Sequence, residues 1–288
     1  MRVLRLYDVL PQHPQAIALG YFDGGHLGHA ALLEKTVSEA KRLGCESAVF
    51  SFSHLPTKSA VPLSSEEERL SFFERMGIEN VFLASFEELR SLAPRAFIDT
   101  VLKDACAARV ALCGFNFRFG YEAKGDSALL CQELPESVVL PPYLYEGSPV
   151  SASRIRESLL TGNIIAATAM LGHPYTVSGA VTHGKAFGRV LGFPTANVCP
   201  QTLLPRFGVY RTRVEIDGVF YRAVSNVGVR PTVEKTKDAR IETFLHGFDG
   251  DLYGKTLKIS FLSFVREEKQ FASQEELKAQ ISLDIKNM

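Results

Sequence analysis

Near residue 172 the periodicity of this chain changes, and that change limits the folds open to it. Before it, short apolar runs alternate with helical patterns. Strands are expected over 16–19, 47–52, 81–83, 109–113 and 138–140. Helices are expected over about 30–43, from the capped start Ser64-Ser65-Glu66-Glu67 to about 76, and from Pro94 to about 107. Such alternation implies a doubly wound, parallel α/β sheet. Two short helices over 153–171, broken at Thr161-Gly162-Asn163, close this part. From Tyr175 on, β-branched and aromatic residues recur at alternate positions, over 176–181, 208–216, 219–225, 241–245 and 257–262. Asp217-Gly218 is a hairpin turn signal. Short strands with tight turns suggest a small antiparallel β-barrel. A closing helix over about 273–285 opens on Ser273-x-x-Glu276, a capping box. Two domains are expected, 1–172 and 173–288.

Charge excludes some partners. The chain carries 32 basic and 32 acidic residues and no basic run, which leaves no footprint for nucleic acid or an anionic membrane. No apolar stretch reaches the 18 residues of a membrane span, and the first residues lack a signal-peptide core. The five cysteines (Cys45, Cys106, Cys113, Cys131, Cys199) are scattered, without a Cys-x-x-Cys pair. That pattern argues against a disulfide framework or zinc site and suits a reduced, cytoplasmic enzyme. Oligomeric state is not legible.

Residues 20–29 read Gly-Tyr-Phe-Asp-Gly-Gly-His-Leu-Gly-His and lie between an apolar run and a helical pattern. Glycines let backbone approach a phosphate closely, and a helix N-terminus adds N–H donors and a positive dipole end. His26 and His29 can bind the same phosphates. Two further segments support a nucleotide site. Residues 114–120, Gly-Phe-Asn-Phe-Arg-Phe-Gly, follow a strand. Ser151-Ala-Ser153-Arg154 opens a helix, and the guanidinium of Arg154 suits a triphosphate. A glycine-rich surface turn with solvated histidines is the bland alternative.

In this order these segments resemble the adenylyltransferase domain of the prokaryotic bifunctional riboflavin kinase/FAD synthetase family, within the His-x-Gly-His nucleotidyltransferases of Rossmann-like fold. The resemblance implies that Gly20, Phe22, Asp23, His26, Gly28 and His29 form the ATP cradle. Ser151, Ser153 and Arg154 match a second phosphate motif, Asn116 a loop near the nucleotide, and Phe119 a flavin contact. The implied reaction is attack of the FMN phosphate on the ATP α-phosphorus, releasing pyrophosphate and forming FAD. After the second strand the chain reads Ser51-Phe52-Ser53-His54-Leu55-Pro56, where the family often has Thr-Phe-x-Pro-His-Pro.

The second half has its own chemistry. Glycines 184, 188 and 192 form a loop able to approach phosphate, followed by Phe193-Pro194-Thr195-Ala196-Asn197. Thr195 and Asn197, two apart on a strand, share one face, and both offer oxygens suited to Mg²⁺. The segment resembles riboflavin kinase, whose signature is Gly-Phe-Pro-Thr-Ala-Asn. The family pattern continues through 208–210, 225–232, 241–245, 248–254 and 264–271. The resemblance implies Glu242 as catalytic base, accepting the ribityl 5′-hydroxyl proton during attack on the ATP γ-phosphorus. It implies Gly184, Arg189, Gly192, Phe193 and Pro194 at the nucleotide, Thr195 and Asn197 at Mg²⁺, and Tyr210, Arg230, Arg266, Glu268 and Phe271 at the flavin. Asp249 reads as a turn residue. Riboflavin, FMN and ATP are the implied small-molecule partners. The competing readings are a kinase with a silent nucleotide-binding half, a flavin-binding protein without catalysis, and another nucleotidyltransferase.

Overall fold

The computed structural model describes residues 1–6, 11–54, 61–182, 193–229 and 239–286. Two compact units divide the chain, Met1–Ser151 and Ala152–Met288. The helices over 152–171, placed with the first domain in the sequence reading, thus lie in the second unit.

The strands are β1 Arg2–Arg5, β2 Gln15–Leu19, β3 Glu46–Phe52, β4 Asn80–Ala84, β5 Ala108–Gly114, β6 Arg118–Phe119, β7 Gly125–Asp126, β8 Val138–Leu140, β9 Leu144–Tyr145 and β10 Ser148–Pro149 in the first unit. In the second they are β11 Tyr175–Thr182, β12 Thr195–Val198, β13 Gly208–Ile216, β14 Val219–Val229, β15 Ala239–Leu245 and β16 Thr256–Arg266.

The first unit is built on a six-stranded sheet of order β1-β4-β3-β2-β5-β8, parallel throughout. Strand alternation sends Ala16, Ala18, Val49, Val81, Val110 and Leu112 to one face. There they pack with Leu32, Leu33 and Ala40 of helix Leu27–Leu43 and with Phe72 and Phe73 of helix Glu66–Arg75. Ile17, Leu19, Ala48, Phe50, Phe82 and Ala111 face the other way, toward helices Phe97–Ala105 and Ser127–Glu133. Both faces are covered, as an all-parallel sheet requires.

From β2 the chain builds outward through β3 and β4, then crosses back to β5 and β8. The winding therefore reverses between β2 and β5, and ligands bind beyond the carboxyl ends of strands at such a reversal. Those ends are Leu19, which leads into residues 20–29, and Gly114, which leads to Asn116. β1 was not expected. Its side chains are mostly exposed, so no apolar alternation marks it, and it exists by pairing with β4 from Arg2↔Asn80 to Arg5↔Leu83.

The second unit is a closed antiparallel barrel of order β11-β12-β15-β14-β13-β16. Asp217 (φ 50°) and Gly218 (φ 79°) make the β13–β14 turn, the pair of positive φ values a two-residue hairpin needs. Val177, Val198, Tyr210, Val214, Ile241, Ile259 and Phe261 are wholly buried. Among them runs a chain of hydroxyls, Thr212 to Ser225 at 2.7 Å and Ser225 to Thr243 at 2.8 Å, each satisfying the next as burial demands. Helix Gln274–Lys286 is tied to the end of β16 by Arg266, which pairs with the buried carboxylate of Asp284 at 2.7 Å.

Candidate active sites

After β2 the backbone turns sharply. Phe22 is left-handed (φ 63°), as are Gly24 (φ 75°) and Gly25 (φ 55°). A non-glycine residue there is strained unless its surroundings fix it, and Phe22 is buried against Phe73 and His29 at 5.3 and 5.2 Å. A Cβ on Gly25 would meet the Phe72 ring at 3.1 Å. Asp23 fastens the turn: its Oδ1 accepts from the Leu63 and Ser64 amides at 2.8 and 3.1 Å. The Ser64 hydroxyl in turn accepts from the Gly24 amide at 2.9 Å. Asp23, read from sequence as a phosphate-site residue, here braces the loop.

His26 is the N-cap of helix Leu27–Leu43, its Nδ1 accepting from the His29 amide at 3.3 Å. The helix therefore begins three residues earlier than the expected start at 30. The His26 and His29 rings stack at 3.5 Å. Gly28 lies against this stack; a Cβ there would come within 3.2 Å of the His26 ring and 3.7 Å of Tyr143. Burial pushes His26 down to about 4. His29 is driven well below 6.5 by burial and then by His26. Both imidazoles are therefore neutral at pH 7. The His29 Nδ1 is buried without a hydrogen-bond partner. Buried polar atoms are normally satisfied, so an orphan at the start of a helix fits a site that a ligand completes.

The remaining residues of the first site are spread along the chain. Asn116 is exposed just past β5. Phe119 is a core residue instead of a surface one, packed on Phe97 and Phe117 at 5.4 and 5.6 Å. A flavin contact there is not what this arrangement offers. Phe115 and Tyr143 are the exposed aromatics beside the same strand ends; Tyr143, next to Gly28, was missed because no motif marks it. Ser151 closes the first unit, and Ser153 and Arg154 lie on the first turn of helix Ala152–Thr161 in the second. His54 is exposed, its ring 3.0 Å from the Ser53 hydroxyl; Leu55 and Pro56 lie outside the described residues.

In the barrel, strand register assembles the second site. Thr182 pairs with Asn197, Asn197 with Glu242, and Glu242 with Asn226. Directly opposed residues point to the same face of a sheet, so these four form one polar row across β11, β12, β15 and β14. Asn197 is 7% exposed and its Oδ1 has no partner. Thr195, two residues away on the same face, is exposed. Phe193 packs edge-on against Phe244 at 5.7 Å. A cleft of about 670 Å³ opens here, lined by Pro194, Thr195, Ala196, Phe248, Asp249, Asp251 and Tyr253 among others. Asp249, read from sequence as a turn residue, lines this cleft.

At the far end of the row, the Asn226 amide donates to Glu268 at 3.1 Å. Gly228 is bare because Glu268 rests on it: a Cβ would fall 2.1 Å from that carboxylate. Glu268 also lines a second cavity, of about 490 Å³, with Leu160, Leu204, Phe207 and Arg206. Two residues expected at the flavin make other contacts here. Tyr210 is wholly buried, its hydroxyl given to the Arg206 carbonyl and its ring packed on Phe261 and Phe264. Arg266 spends its guanidinium on Asp284 and lies 5.9 Å from the Phe271 ring. Gly184, Arg189, Gly192 and Arg230 lie outside the described residues.

Comparison with known proteins matches each half separately. The FAD synthetase family model covers residues 10–154 and the riboflavin kinase model residues 171–288. Together with the parallel sheet and the barrel, they define a two-part transferase of flavin cofactor synthesis. Over 304 aligned positions the chain is 34% identical to the bifunctional riboflavin kinase/FMN adenylyltransferase of Pseudomonas fluorescens, covering 99% of this chain and 96% of that one. It is 32% identical to the protein of the same name in Bacillus subtilis (strain 168), covering 95% and 91%. The chain belongs to the bifunctional riboflavin kinase/FMN adenylyltransferase family. A crystal structure of a protein named macrolide-efflux protein, from Streptococcus pneumoniae, aligns with a TM-score of 0.91 at 30% identity, over 99% of this chain and 97% of that one. Among the described residues here, no helix is long and apolar enough to cross a membrane.

Proposed function

We propose that this chain carries both activities of its family, phosphorylating riboflavin to FMN at the barrel and adenylylating FMN to FAD on the sheet. The observation that carries the kinase half is the row Thr182–Asn197–Glu242–Asn226, which sets a carboxylate beside an orphaned buried amide oxygen. Glu242 accepts the proton of the ribityl 5′-hydroxyl as its oxygen attacks the γ-phosphorus, and ADP leaves. The Thr195 hydroxyl and Asn197 Oδ1 are the residues that would hold Mg²⁺. An amide oxygen buried without a partner fits a hard cation, and the ion would supply charge neutralisation on the phosphate oxygens. Pro194 lines the nucleotide cleft, with Phe193 next to it in the chain, and Glu268 and Phe271 are the proposed flavin contacts.

For adenylyl transfer we assign a Rossmann-like nucleotidyltransferase domain to the sheet unit, Met1–Ser151, and the kinase to the barrel of the second unit. The FMN phosphate oxygen attacks the α-phosphorus and pyrophosphate leaves. No protein nucleophile is needed; placement and hydrogen bonding of the phosphates do the work. His26 and His29, neutral before ATP arrives, donate ring N–H groups to phosphate oxygens and gain basicity from that contact. Gly20 and Gly28 give access, and Asn116 and Ser151 keep the nucleotide and phosphate roles that the family motif implies. A cytoplasmic location fits the scattered thiols; burial pushes those of Cys106 and Cys113 up to about 12, which leaves them unreactive.

The test separates the halves. Glu242→Ala is expected to lower FMN formation from riboflavin at least about a hundredfold while FAD formation from supplied FMN continues. His29→Ala is expected to do the reverse. A Glu242→Ala protein that still phosphorylates riboflavin at a near wild-type rate removes the base assignment.

A further inference from the structure

Among the described residues, Arg69 is the largest side chain that is almost wholly buried, at 2% exposure. It sits on helix Glu66–Arg75 behind three glutamates, Glu66, Glu67 and Glu68, yet its hydrogen bonds go to none of them. Its Nη1 lies within hydrogen-bond distance of the Tyr21 carbonyl (3.2 Å), the Ser51 hydroxyl (3.2 Å) and the Phe52 carbonyl (2.9 Å). Its Nη2 donates to the Ser53 carbonyl at 2.9 Å. The guanidinium also stacks under the Tyr21 ring at 4.1 Å.

These contacts all lie at the carboxyl ends of β2 and β3, beside the winding reversal. Tyr21 immediately precedes left-handed Phe22, so fixing the Tyr21 carbonyl fixes the entry to the strained turn that delivers His26. The Ser51 hydroxyl donates to the same carbonyl at 3.2 Å. Burying a guanidinium among neutral acceptors is costly, and burial is what lowers its basicity most. Such a cost is commonly met where geometry must be held for a ligand. Nη1 alone joins the two strand ends and Nη2 adds the Ser53 carbonyl, a planar spread of donors that a lysine ammonium does not reproduce.

We propose that Arg69 is a positioning residue of the adenylyl-transfer site, holding the ends of β2 and β3 in the geometry that receives ATP. This rests on the placement of ATP at residues 20–29 proposed above.

The test is steady-state kinetics of the full chain, with FMN and ATP varied separately and riboflavin phosphorylation followed in the same preparations. Arg69→Lys keeps the charge and loses the fork. It is expected to raise the KM for ATP in FAD formation about five- to tenfold, with the KM for FMN and all kinase constants within about twofold of wild type. Ser51→Ala, which removes only the shared hydroxyl, should raise the same KM about two- to threefold. A merely structural role would instead lower kcat through lost active protein and leave both KM values alone. An unchanged KM for ATP in both variants, with the KM raised in His29→Ala, overturns the role of Arg69 and leaves the ATP placement standing. An unchanged KM in His29→Ala as well overturns the placement itself, and the inference with it.

Discussion

The two stacked histidines carry a pH signature. In the unfolded chain His26 titrates near 6.5; folded, it is held at about 4 by burial. Between those values the unfolded chain binds a proton that the folded site refuses, so acid favours unfolding. The stability associated with His26 is complete above pH 6.5 and is lost as pH falls toward 4, a change of about 3 kcal/mol at 1.36 kcal/mol per pKa unit. His29 acts in the same direction. Thermal melting of the first unit should fall between pH 7 and pH 5, and His26→Asn, which keeps a capping side chain, should flatten that slope. An unchanged slope in His26→Asn contradicts the burial account.

At this scale the sequence displayed which residues to consider but not which way they point. His26, His29, Asn197 and Glu242 were legible because their motifs carry them, and the structure shows them braced, stacked or aligned. Phe119 and Tyr210 stand in motif segments too, yet their side chains turn into the cores. Arg69 was invisible: an arginine after three glutamates reads as a solvated helix face, and only the meeting of β2 and β3 buries it.

Among elements, two helices were readable from their caps. Ser65 and Glu68 form the reciprocal cap that opens Glu66–Arg75, and the Ser273 hydroxyl accepts from the Glu276 amide at the closing helix. Edge strand β1 was not, since pairing with β4 rather than its own pattern makes it a strand. The docking of helix Gln274–Lys286 on β16 was hidden for a similar reason. Arg266 had been read as a flavin contact, and Asp284, its partner, is buried at 4% exposure. Removing one member of a buried pair strands the other. Since Arg266 is partly solvated, Asp284→Ala is expected to cost about 2 kcal/mol rather than the full 3–5 of a sealed pair. Urea unfolding followed through kinase activity measures this; no shift in midpoint would show that apolar packing alone holds the helix.

For the whole molecule, the decisive signal was the change from alternating α and β patterns to continuous β, which a sheet unit and a barrel unit now explain. Each unit has its own core and its own set of candidate catalytic side chains, so each half-reaction should be separable by point substitution. Balanced charge, 32 basic against 32 acidic residues, provides no long-range pull on a polyanion. Recognition of ATP therefore falls on local donors at strand and helix ends. The most direct measurement is a time course of the full chain with riboflavin and Mg-ATP, resolving flavins by chromatography. FMN should appear first and FAD follow at its expense. Riboflavin left unchanged, or FMN accumulating with no FAD, contradicts the account of two activities in one chain.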